Sequence, residues 1–148
     1  MIGLFNIVGS LYSGWLTSRQ PKRLILAAIY FLRAVAILAF ISFPVTPVTA
    51  IAFGASMGFL WLSTVPPTSA LVQVMFGTRW LSMLVGFSFF SHQVGGFLGV
   101  LIGGIAFERT GSYDVVWWLS ILLGVLSALI NLPIVEKPAP ARVAAAAA

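Results

Sequence analysis

Polar residues along this chain come in short clusters, and five long apolar runs lie between them. The first run covers 2–16 and ends at Thr17-Ser18-Arg19-Gln20-Pro21-Lys22-Arg23. The second covers 24–43 and holds one charge, Arg33. Pro44-Val45-Thr46-Pro47 follows as an uncharged turn, since each proline disfavours helix in the residue before it. The third run, 48–75, contains Pro66-Pro67, which predicts a kink in its second half. Gly77-Thr78-Arg79 separates it from the fourth, 80–107. Glu108-Arg109-Thr110-Gly111-Ser112-Tyr113-Asp114 makes the next polar turn, and the fifth run covers 115–135. A bilayer core takes about 20 helical residues at about 1.5 Å each. The last four runs meet that length and the first falls short of it. The pattern predicts an all-α, polytopic transmembrane helix bundle of five spans over 1–136. The tail 137–148 is expected to be cytoplasmic and poorly ordered.

Composition removes the soluble alternative. The chain of 148 residues is 60% hydrophobic and 7% charged. A soluble domain carries about 25% charged residues and buries only about 70% of its unfolded surface at this size. Lipid is the solvent that accommodates the excess. With no cysteine there is no disulfide framework and no thiolate metal site. The net charge of +5 does not point to nucleic acid, because the basic residues sit in the gaps between runs rather than in one stripe.

Those gaps set an orientation. Arg19, Lys22, Arg23, Arg79, Lys137 and Arg142 fall on one side and only Arg109 on the other. The excess places the first loop, the third loop and the C-terminus in the cytoplasm of a cell (inner) membrane. Met1 then lies on the opposite side, ahead of a short first span and without a signal peptide. That combination reads as a helix begun upstream, so the chain is expected to be truncated. On the fourth run, Gly95, Gly99 and Gly103 fall at i, i+4 and i+8 on one face. Small residues in register let helices approach closely where lipid supplies no hydrophobic drive.

Two stretches carry a family resemblance. Gly14-Trp15-Leu16-Thr17-Ser18-Arg19-Gln20-Pro21-Lys22-Arg23 resembles the loop signature of the major facilitator superfamily, G-x-x-x-D-R-x-G-R-R. Gly14, Arg19, Lys22 and Arg23 match; Ser18 replaces the acid and Pro21 the second glycine. Gly103-Gly104-Ile105-Ala106-Phe107-Glu108-Arg109-Thr110-Gly111-Ser112-Tyr113-Asp114 is similar to the turn between the last two helices of that family, most like its monocarboxylate and oxalate/formate-type members. The resemblance implies helices eight to twelve of a twelve-helix transporter. It also implies alternating access between two halves, with the N-terminal half or a second chain as the missing partner.

Arg33 is the most informative single residue. It lies ten residues past Arg23, about 15 Å into the bilayer. A charge there costs about 2.5–3.5 kcal/mol and must find a carboxylate, carbonyls or an anionic substrate. The three acids, Glu108, Asp114 and Glu136, all sit at interfaces. His92-Gln93 lies near the middle of the fourth run, where a histidine can carry a proton and both side chains can hydrogen-bond a carboxylate. Arg33, His92 and Gln93 are therefore the candidate substrate-binding residues. Asn6, Trp61, Ser63, Thr64 and Gln73 are weaker candidates, and Tyr113, Trp117 and Trp118 fit an interfacial aromatic belt. No metal-ligand cluster, carboxylate pair or phosphate loop is present in the pattern, so neither an enzyme nor a cofactor is expected. The expected function is secondary transport of a small organic anion, with a proton as candidate co-substrate, by a part inactive without its other half. The rival reading is a non-transporting remnant or a small membrane protein that acts by interaction.

Overall fold

The computed structural model describes residues 2–137 and is all-helical; among these residues there is no strand. The helices are α1 (Ile2–Thr17), α2 (Lys22–Ser42), α3 (Pro47–Trp61), α4 (Val65–Phe76), α5 (Leu81–Thr110) and α6 (Asp114–Asn131). A single 3-10 turn, Leu62–Thr64, joins α3 to α4, so the two form one broken helix. The expected tail lies outside the described residues from 138 onward, as do Met1 and Arg142.

Four helical segments are long and apolar enough to cross a membrane: Lys22–Ser42, Pro47–Phe76, Leu81–Thr110 and Asp114–Asn131. The first helix has 16 residues. At about 1.5 Å per residue it measures about 24 Å, short of a bilayer core of about 30 Å.

Local chemistry sets the boundaries. Thr46 caps α3 by accepting from the Thr49 amide, and Thr49 returns the contact to the Thr46 amide, with Pro47 in the first turn. Pro66 and Pro67 lack the amides that would pair with the carbonyls of Leu62 and Ser63 in a continuous helix. The break therefore falls just before the prolines, and they then sit in the first turn of α4, where a missing amide costs nothing. Gly111, at φ 67°, ends α5 in the left-handed conformation that glycine adopts freely. The turn after it is held by Thr110 and Ser112 hydroxyl contacts and by Phe107 stacked on Tyr113 at 4.7 Å.

Helix α2 packs along α6, and α1 packs along α3. Both crossings are built on small residues. At Gly9 an added Cβ would overlap the Phe59 carbonyl oxygen and lie 2.7 Å from the Ser63 hydroxyl. At Gly124 it would stand 3.1 Å from the Ala34 methyl and 3.3 Å from the Tyr30 carbonyl oxygen. Ile25, Ile29 and Leu60 form the core, with Leu16 and Phe59 packed on it. Helix α5 touches the rest mainly through α4 and α6, and Gly103, against Val116, is its one buried residue. Gly95 and Gly99 meet nothing within 4 Å.

Candidate functional site

The site is built around the break. Leu60 and Trp61 end α3, so their carbonyls lie among those that a helix end leaves without regular partners. Arg33, reaching across from α2, donates through Nη2 to both, at 2.6 Å to Leu60 and closer still to Trp61. On the other side of the break the Leu62 amide donates to Asn6 Oδ1 of α1 at 3.1 Å. The Ser63 hydroxyl, 2% exposed, donates back to the Phe59 carbonyl. Arg33 also lies near two rings, 5.6 Å from the centre of Tyr30 and 5.7 Å from that of Trp61, in reach of cation–π attraction. Its Nε is buried without a hydrogen-bond partner.

A groove of about 350 Å³ opens beside the break, between it, α4 and the first half of α5. Tyr30, Trp61, Thr64, Thr68, Ser88 and His92 line it, with Ser69 and Ser91 beside them. Hydroxyls, one imidazole and the rings of Tyr30, Trp61 and Phe89 make a lining that can hold a small polar solute by hydrogen bonds and ring contact. A larger groove of about 670 Å³ runs between α2 and α3, but Leu32, Val35, Phe40, Phe53 and Phe59 make it almost wholly apolar. In a bilayer such a surface suits lipid chains. The polar chemistry lies in the smaller groove.

Of the three expected binding residues, His92 lines this groove and Arg33 stands behind its wall, next to Tyr30 and Trp61. Gln93 is turned about 100° further round α5 and is exposed outside it. Trp61 and Thr64 line the groove, Asn6 and Ser63 serve the break, and Gln73 is exposed on α4. Sequence reasoning missed Tyr30, Thr68, Ser69 and Ser88. The available signal was helical spacing: Tyr30 lies three residues before Arg33, and Ser88 four before His92, each on a shared face.

The loop-signature residues gather elsewhere. The Arg23 amide donates to Glu136 Oε1 at 2.8 Å, and Lys22 Nζ stands 3.9 Å from Glu136 Oε2. The Arg23 guanidinium donates to the carbonyls of Leu132 and Ile134, at the end of α6, at 3.1 and 3.4 Å. The first loop is thus tied to the segment after α6. Arg19 lies over the Trp15 ring at 4.3 Å, and Gly14 faces Pro66. Among the described residues no group of three His, Cys, Asp or Glu could hold a metal ion.

The chain is 30% identical, over a 145-residue alignment, to an uncharacterized MFS-type transporter, YcxA, of Bacillus subtilis (strain 168). The match covers 91% of this chain and 35% of the relative, so the chain spans about a third of that protein's length. No family model matches the chain, and no solved structure matches it. The chain is MFS-like (similar to part of a major facilitator-type protein), and with its long apolar helices it is an integral membrane protein.

Proposed function

We propose that the chain works as part of a secondary transporter of the major facilitator type and moves a small organic anion, of monocarboxylate kind, by alternating access. The observation that carries this reading is the groove's polar groups with a guanidinium behind its wall and, among the described residues, no carboxylate paired with it. In a low-dielectric bundle an unpaired positive charge acts across several ångströms even when its hydrogen bonds are taken. Such a groove favours an anion over a neutral or cationic solute. His92 and the hydroxyls of Tyr30, Thr64, Thr68 and Ser88 would contact it, and His92 would carry the coupled proton. The excess of loop charges supports a cytoplasmic C-terminal side, in a cell membrane.

A groove lined from one side needs helices that face it. Helix α5 leaves one side of its length uncovered, which supports further helices, from an N-terminal half or a second chain, as the partner that completes the path. That same uncovered side is what favours a second reading, a membrane protein that acts by interaction without transport.

Uptake of labelled small carboxylates, against their neutral amides, tests both. Proteoliposomes would hold the chain alone, or co-expressed with the part of the Bacillus relative that the match leaves uncovered. We expect saturable, carboxylate-selective uptake only in the second case. His92→Ala should reduce it about tenfold, the loss of one hydrogen bond to a charged group. Amide uptake as fast as carboxylate uptake would remove the anion. Saturable uptake by the chain alone would remove the need for further helices, and no selective uptake in either case would favour the interaction reading.

A further inference from the structure

We infer that Arg33 and Asn6 are a pair of positioning residues that hold the α3–α4 break open, and that Arg33 acts on the groove from behind rather than by touching the solute. The inference rests on the groove being the solute site, but its geometry stands without that.

The two side chains are chemically complementary to what the break exposes. A guanidinium has donors only, and Arg33 meets two carbonyls, those of Leu60 and Trp61. The Leu62 amide needs an acceptor, and Asn6 supplies its side-chain oxygen. These partners come from two different helices, α2 and α1, and close on three consecutive residues of a third element. Within a bilayer no water is at hand to satisfy such groups, so unpaired backbone there is strongly disfavoured. Pro66 and Pro67 ensure that the need persists, because the stretch cannot revert to regular pairing. The same stretch presents Trp61, Leu62 and Thr64 to the groove. The path of the break therefore sets the groove's width, and Arg33 and Asn6 set the path of the break.

The absence of cysteine gives a clean test, since one introduced thiol is then a unique label. The full chain, carrying Ser69→Cys on the groove and held in lipid nanodiscs, is reacted with a neutral maleimide. Amide hydrogen exchange over 60–65 is followed in parallel. Arg33→Met should raise both the labelling rate and the exchange by about tenfold, as expected for losing the bonds that hold one local unit closed. Arg33→Lys, which keeps a donor, should restore most of the protection. Asn6→Leu should raise exchange in the same segment, and its effect should be less than additive with that of Arg33→Met. Adding Pro66→Ala and Pro67→Ala returns the missing amides, and in that background Arg33→Met should change little. If Arg33→Met does not insert, Asn6→Leu in the two proline backgrounds makes the same comparison. Unchanged labelling and exchange in Arg33→Met overturns the inference, and so does an effect that proline replacement leaves undiminished. Neither readout needs a solute, so failure of the anion reading would leave these results intact.

Discussion

Glycines at the α1–α3 crossing and glycines on α5 stand in opposite surroundings. Gly9 lies so close to Phe59 that not even a methyl fits, and an added Cβ at Gly58 would meet the Ile2 carbonyl oxygen at 2.7 Å. Gly95 and Gly99 are spaced for the same purpose, yet both open onto empty space. Gly9 and Gly58 belong to different helices, and Gly58 has only Gly54 in register with it, while the α5 stripe has three glycines in register of which, among the described residues, only Gly103 meets a neighbour, Val116. Spacing shows that a helix can be approached; contact depends on whether another helix arrives. The uncovered part of the stripe, at Gly95 and Gly99, is a surface prepared for close packing, in keeping with the further helices proposed above.

The contrast can be broken by experiment. Gly9→Leu should do the most damage, about 1–3 kcal/mol or more, because the new side chain collides with backbone that cannot rotate away. The measure is unfolding in mixed micelles, followed by tryptophan fluorescence. A Gly9→Leu chain as stable as the parent would mean that α1 and α3 do not cross as described.

A smaller effect is expected at the tie between the first loop and the end of α6. Glu136→Gln keeps an acceptor for the Arg23 amide but gives up the charge facing Lys22, a loss of about 0.5–1 kcal/mol that salt should mask. The same unfolding assay, repeated at low and high salt, reads it. Equal loss at both salt concentrations would show that the contact works through shape rather than charge.

The smallest effect is expected at Gly99→Leu, within about 0.5 kcal/mol for this chain alone, since nothing lies in the way. Co-expressed with the completing helices, the same substitution should become costly. If Gly99→Leu is already as damaging as Gly9→Leu in the isolated chain, then α5 has a packed neighbour here, and a second copy is the first candidate.

Much of the fold is legible in the sequence. Hydropathy marked the apolar runs, and the prolines at 44, 47, 66 and 67 marked where helices start or fail. The break falls at Leu62–Thr64 because a proline ring disturbs the turn before it. The site was legible only in outline. Arg33 and His92 stood out as polar groups at membrane depth, and carbonyls were among the expected partners of Arg33. That those carbonyls would be Leu60 and Trp61, with Asn6 at the next residue, was not legible, since the three elements are far apart in sequence. Arg23 and Glu136, separated by 113 residues, are a second such case.

By itself, then, the sequence determined what each segment is. Apolar content and proline or glycine placement act within a turn or a span, so they fix helices, breaks and turns without reference to neighbours. The tertiary structure decided how each helix is rotated and what it meets: Gly9 against Phe59, Arg33 on the broken end of α3, His92 on the groove and Gln93 outside it. Those choices lie beyond local pattern for a physical reason. In lipid nearly every face of such a helix is apolar, so hydropathy does not distinguish inward from outward. Close packing of small residues, and the need to pair exposed backbone groups, settle the rotation instead.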